Sequence, residues 1–86
     1  MICIVAQHRE SNLLEDINDY KSSKGDTPYL IMSIATALML EQISKTKIMD
    51  KSTDITLNSN AGYYGIFENC KIFIDNTIEF GTVKIV

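Results

Sequence analysis

The stretch GYYGIFENCKIFIDNTIEFGTVKIV, residues 62–86, most constrains what this chain can fold into. Its β-branched and aromatic residues come at short intervals broken by polar pairs, the pattern of strands joined by tight turns. If Lys71 to Asp75 is a strand, Ile72 and Ile74 share one face and Lys71, Phe73 and Asp75 the other. Tyr63 to Phe67 predicts a strand before it, with Glu68 and Asn69 as the turn. Asp75, Asn76 and Thr77 turn the chain again, and Thr82 to Val86 predicts a closing strand with Val83 and Ile85 on one face and Lys84 opposite. Between the polar clusters 51–54 and 58–62, Ile55 to Leu57 can make a further short strand. A meander of this kind has an apolar face that must pack on another layer, so the segment reads as scaffold and the covering layer must come from upstream.

Upstream, Ile2 to Ala6 is a short, almost unbroken apolar run, which suits a strand covered on both faces. Ser11 or Asn12 offers a helix N-cap, and Glu15 and Asp16 are expected in the opening turn, where carboxylates favour the positive end of the helix dipole. Leu13, Leu14, Ile17 and Tyr20 then recur at helical spacing, with Asn12, Asp16 and Asp19 toward water. Lys21, Lys24 and Gly25 end the helix, glycine as a left-handed cap. The next segment, TPYLIMSIATALMLEQISK, has two readings. Thr27 and Pro28 can open one long helix with Ile31, Ile34, Leu38 and Met39 as its buried stripe. Alternatively, Tyr29 to Met32 is a buried strand, Ser33 the N-cap, and a shorter helix runs from Ile34 to about Ser44. Propensity does not separate them.

Composition excludes several classes of function. With 86 residues and 45% hydrophobic content the chain can close one modest core, and 22% charge with one proline and four glycines fits neither disorder nor collagen. The formal charge of −3 argues against nucleic acid as a partner, because that affinity comes mainly from cations on phosphates. Lys45, Lys47 and Lys51, interrupted by Asp50, read as a solvated helix end. The longest apolar run, PYLIMSIATALML, has 13 residues, whereas a bilayer crossing needs roughly 20, so no membrane span is expected. The apolar stretch in MICIVAQHRE lacks a positive n-region and is too short for a signal peptide, which points to the cytoplasm. Cys3 and Cys70 lie 67 positions apart, without zinc spacing, and are expected to be reduced and buried, with a disulfide as the alternative.

No catalytic, cofactor or metal constellation stands out. His8, the single histidine, sits between polar neighbours, and Cys3 is five positions earlier on a presumed buried strand, which disfavours a nucleophilic pair. Glu15, Asp16 and Asp19 read as a solvated helix face. Asp75 and Glu79 flank a turn in which Asp-Asn serves local backbone hydrogen bonds. Gly62 and Gly65 in GYYG match neither a P-loop nor a dinucleotide fingerprint. Among the aromatics Tyr63, Tyr64, Phe67, Phe73 and Phe80, most are expected in the core. Adjacent Tyr63 and Tyr64 must point to opposite faces of a strand, so one of them is a candidate interface anchor.

The order of these signals resembles the axial domain of tailed-phage major capsid proteins, an encapsulin-like shell fold. The resemblance is carried by LLEDINDYKSSKGDTPYLIMSIATALML, residues 13–40, and by GIFENCKIFIDNTIEFGTVKIV, residues 65–86, within a chain of 86 residues. It implies that the apolar run before Ser33 is a central strand, which favours the strand-then-helix reading. An 86-residue chain has no room for the arm, spine helix and peripheral domain of a full capsid subunit, so a stand-alone module from a phage or prophage is implied. The expected architecture is α+β in a single domain, β-α-β-α followed by a C-terminal antiparallel meander packed on two helices. The expected role is a non-enzymatic, phage-type interaction protein, accessory to the virion or directed at a host or defence protein, in the host cytoplasm or on the virion. Tyr63, Tyr64 and Phe80 are its candidate contact residues. The alternative is a self-associating homo-oligomer paired through the C-terminal strand, with Val83 and Ile85 at the contact, because a closing strand leaves an edge to be covered. A small enzyme is the third reading.

Overall fold

The structure, a computed structural model, describes residues 2–4, 11–44, 47–49 and 62–86. Through them the chain runs β1 (Ile2–Ile4), α1 (Ser11–Lys24), β2 (Leu30–Met32), α2 (Ile34–Ile43), β3 (Gly62–Phe67), β4 (Cys70–Ile74) and β5 (Thr82–Ile85). Two helices and one mixed sheet make a small α+β domain, the class read from the sequence. Ile55 to Leu57, His8 and the continuation of the first strand to Ala6 lie outside the described residues.

α1 forms where the helical apolar spacing places it. Leu13 and Ile17, one turn apart, are buried, while Leu14 and Tyr20 pack beside them half-buried. Burying each of the first two removes a whole aliphatic side chain from water, about 2 kcal/mol apiece. The helix stops at Gly25, whose φ of +76° lets its N–H donate to the Lys21 carbonyl at 2.9 Å, while Lys21 and Lys24 oppose the negative end of the dipole. Its start differs from expectation. The helix already includes Ser11 and Asn12, so neither is the N-cap, and Glu15 and Asp16 fall beyond a first turn that carries no acid.

The ambiguous segment resolves as strand then helix. Ser33 has φ −70° and ψ 159°, and its Oγ accepts the Thr36 N–H at 3.2 Å, a side-chain N-cap for α2. Pro28 is buried ahead of β2 and starts no helix. The residues buried on α2 are Thr36, Ala37, Met39 and Leu40. The stripe expected of a single long helix is therefore not formed, and Leu38 is 49% exposed. Leu30 and Met32 reach full burial only as extended residues between two other strands, and that tertiary gain overrides a propensity that tolerated either state.

Sheet order is β1-β5-β2-β4-β3. β3 and β4 are an antiparallel hairpin as expected, but the closing strand does not extend it into a meander. β5 instead lies between β1 and β2, antiparallel to both, while β2 runs parallel to β4. The cause lies in the link between β4 and β5, seven residues long, which steps over the junction of β2 and α2. There the Asp75 N–H donates to the Met32 carbonyl at 2.9 Å, Asn76 Oδ1 accepts the Ile34 N–H at 3.0 Å, and the Gly81 N–H donates to Thr36 Oγ1 at 2.9 Å. Polar groups at the end of β2 and the start of α2 are thus satisfied by the crossing loop, which a two-residue hairpin could not have done.

The β3–β4 turn is a two-residue loop with positive φ at both Glu68 (50°) and Asn69 (66°), the type I′ form that matches strand twist. β3 also carries a bulge between Tyr63 and Gly65, which pair with Phe73 and Ile72 respectively. The extra residue, Tyr64, shifts the alternation by one. Without it Phe67 would share a face with Tyr63; with it Phe67 is fully buried.

Candidate functional site

Among the described residues both helices lie against one face of the sheet and no element lies over the other, whose Ile31, Tyr63 and Phe73 are half-buried. Leu30, Met32, Phe67, Cys70, Ile72, Ile74, Val83 and Ile85 point inward into a single core with Leu13 and Ile17 of α1 and Ala37 and Leu40 of α2. Both helices therefore lie on that side. The strict period of two sends the intervening residues outward.

Strand register aligns the outward residues into a row. Lys84 on β5 faces Ile31 on β2, Ile31 faces Phe73 on β4, and Phe73 faces Tyr63 on β3. The Phe73 ring meets Tyr63 edge-on with centroids 6.0 Å apart, and meets Tyr29 edge-on at 5.6 Å. Such aromatic pairs add about 0.5–1.5 kcal/mol beyond area burial and hold the rings in place. Tyr29 and Val86 extend the β2–β5 pairing by two mutual backbone hydrogen bonds of 2.8 and 3.0 Å. Both are outward and about half exposed, and Ile4, opposite Thr82 on the same face, is 61% exposed. The result is an aromatic and aliphatic surface with Lys84 within it and Lys71 at its margin. The acid Asp75 stands at the end of β4, its Oδ1 accepting from the Thr77 hydroxyl at 2.6 Å and the Thr77 N–H at 3.0 Å. Those two bonds, then Lys84 nearby, hold its carboxyl below the usual carboxylate range.

The sequence-predicted contact residues divide. Tyr63 lies on the open face, whereas Tyr64 turns inward, where its hydroxyl donates to Glu41 Oε2 of α2 at 3.0 Å. Burial and that carboxylate push its pKa up to about 12. Tyr64 is thus a tie between sheet and helix. Phe80 is 60% exposed, but it sits in the turn before β5, three strand spacings from β3, about 14 Å across the sheet, so it and Tyr63 do not form one patch. Val83 and Ile85 are fully buried on an interior strand and offer no edge for association. Among the described residues β1 is one edge of the sheet, and β3, the other, is paired through Met49 to Ile66 by two bonds of 2.8 Å. The residues missed by sequence reasoning are Tyr29, Ile31 and Phe73. Period two put Phe73 on the face away from Ile72 and Ile74, but as an aromatic it was expected among the core residues, and the open reading of residues 29–32 hid the other two.

Cys70 is buried and free, its Sγ donating to the Glu68 carbonyl at 3.5 Å, and burial pushes the thiol pKa up. That is the opposite of an activated nucleophile. Strand order places Cys3 on β1 about 14 Å from Cys70 on β4, twice the roughly 7 Å a disulfide can span between Cα atoms. Among the described residues no group of three His, Cys, Asp or Glu could hold a metal ion. A shallow open depression of about 200 Å³ lies between Lys47, Met49, Ile66, Glu68 and Asn69, below the usual size of a small-molecule site. No helix among the described residues is long and apolar enough to cross a membrane.

Comparison with protein-family models, with curated proteins and with solved structures finds no match to this chain.

Proposed function

We propose that this chain is a non-enzymatic interaction protein of the phage type, acting in the host cytoplasm or on a virion, and that it engages a protein through the open face of its sheet. The observation that carries the reading is the row Ile31, Phe73 and Tyr63 with Tyr29 and Val86 beside it, an apolar surface on the side away from both helices. Half-buried Ile31, Phe73 and Tyr63 adjoin exposed Tyr29 and Val86 there, and rigid aromatic rings are favoured at the centre of protein contacts. The phage attribution rests on the resemblance of residues 13–40 and 65–86. Whether the protein acts on a virion or on a host protein is decided by its partner.

The test is an affinity pull-down from infected and uninfected cells with the tagged protein and with its Phe73→Ser variant, read by mass spectrometry. Recovery of virion structural proteins after infection, abolished by Phe73→Ser, supports a virion accessory; recovery of one host protein from both lysates, likewise abolished, supports a host-directed role. Capture that does not differ between wild type and variant sinks the assignment to this face.

A further inference from the structure

We infer that the contact of Tyr64 with Glu41 is the catch of a one-residue register switch at the outer end of β3, and that its release lets Tyr63 and Tyr64 exchange faces of the sheet. This conformational device stands apart from the interaction reading above. It follows from the bulge in β3, from the identity of the two residues beside it, and from the single polar contact that tells them apart.

Pairing on the turn side of β3 is fixed. Phe67, Ile66 and Gly65 pair with Cys70, Lys71 and Ile72, Phe67 is fully buried, and Met49 holds Ile66 by two bonds of 2.8 Å. Beyond Gly65 the ladder has two continuations. The regular one pairs Tyr64 with Phe73 and Tyr63 with Ile74, which by the period of two sends Tyr64 outward and Tyr63 toward the helices. The one that is formed passes over Tyr64 and pairs Tyr63 with Phe73 and Gly62 with Ile74. A slip of one residue turns over every side chain beyond it, and register is weakly specified in glycine-rich strands. In GYYG a glycine stands on each side of the tyrosine pair.

Because the two residues are identical, either continuation sets one tyrosine against Phe73 and the other on the helix side. The edge-on contact of Tyr63 with Phe73 at 6.0 Å has its equivalent in the regular register, which also regains the ladder pair that the bulge gives up. The bond from the Tyr64 hydroxyl to Glu41 Oε2 at 3.0 Å has no such equivalent, since Tyr63 would enter the helix side one residue, about 3.3 Å, further from the turn. A hydrogen bond to a carboxylate biases an equilibrium by roughly tenfold or more, enough to choose between two otherwise similar registers. Its release does two things together: it uncouples β3 from α2, and it brings Tyr64 into the outward row in place of Tyr63.

The experiment is NMR relaxation dispersion and ring-to-ring cross-relaxation on the isotope-labelled full chain, which together read millisecond exchange and the ring that lies on Phe73. In the wild type Tyr63 should contact Phe73. In Tyr64→Phe, which keeps the ring and removes the hydroxyl, the population of a minor state should rise at least tenfold, with exchange confined to residues 62–64 and 73–75 and a new contact between the rings at positions 64 and 73. Glu41→Ala removes the acceptor without touching the strand and gives the same readout if Tyr64→Phe folds poorly. Adding Tyr63→Lys to Tyr64→Phe should suppress the exchange, because the slipped register would turn that lysine toward the core. The inference is overturned if both single variants keep the Tyr63 contact with no more exchange than the wild type. It is equally overturned by exchange spread evenly over the sheet, the mark of general destabilisation, or by exchange that Tyr63→Lys leaves unchanged.

Discussion

Replacing Thr36 by valine tests how the β4–β5 link is tied to α2. Thr36 is fully buried, and its Oγ1 accepts the Gly81 N–H at 2.9 Å from 45 residues away while bonding Ser33 Oγ at 2.8 Å. Valine keeps the shape and removes the hydroxyl. The N–H of the buried Gly81 then loses its acceptor, at a cost of about 1–3 kcal/mol, and the Ser33 hydroxyl loses its partner. The methyl that replaces the hydroxyl returns up to about 0.8 kcal/mol of apolar burial. The net expectation for Thr36→Val is about 2 kcal/mol of destabilisation, read as a lower urea midpoint at unchanged slope, or roughly a 10 °C drop in Tm for a domain of this size. Thr36→Ser keeps both bonds and deletes one buried methyl, so it should cost about 1 kcal/mol. A double-mutant cycle with Ser33→Ala should show coupling, since the two hydroxyls share one network. A Thr36→Val protein within 0.5 kcal/mol of wild type, or less destabilised than Thr36→Ser, would refute the argument that this hydroxyl secures the crossing loop.

Other expectations follow from the same geometry. Deleting residues 82–86 removes an interior strand with Val83 and Ile85 in the core, so circular dichroism should show loss of folding rather than a folded protein of altered oligomeric state. Glu68 and Asn69 both occupy left-handed backbone, and substituting Asn-Gly for the pair should raise stability by about 1 kcal/mol, measured by urea denaturation, because that pair suits a type I′ turn. Tyr64 must stay neutral to donate to Glu41. Its folded pKa is raised from 10.0 to about 12, so its contribution is complete below pH 10 and is lost as pH rises toward 12; Tyr64→Phe should flatten the stability profile in that window. In a Cys3→Ser background the native Cys70 thiol should react with a disulfide reagent only on the unfolding timescale, since it is buried and its pKa is raised.

Much of the local structure was already legible in the chain. The period of two from Lys71 to Asp75 specified which residues of β4 share a face, the apolar spacing from Leu13 to Tyr20 specified the buried side of α1, and Gly25 marked its end. Glu68-Asn69 and Asp75-Asn76-Thr77 announced their turns through residues that tolerate left-handed backbone or bond their own main chain. These features depend on neighbours within a few positions, and short-range chemistry is written directly in the order of residues.

The order of strands was decided elsewhere. Nothing local tells β5 to avoid β4 and insert between β1 and β2; that outcome reflects polar groups at Met32, Ile34 and Thr36, which the loop from Asp75 to Gly81 satisfies as it crosses them. The same long-range choice converted Val83 and Ile85 from a presumed edge into core and chose the strand reading of residues 30–32. It also assembled Tyr29, Phe73 and Tyr63, from three separate segments, into one surface. Sequence by itself determined the faces of the strands and the ends of the helices, because those are properties of periods and caps. Which strands became neighbours, and therefore which outward residues form a site, only the packed structure could decide, because pairing energy depends on every strand competing for the same core.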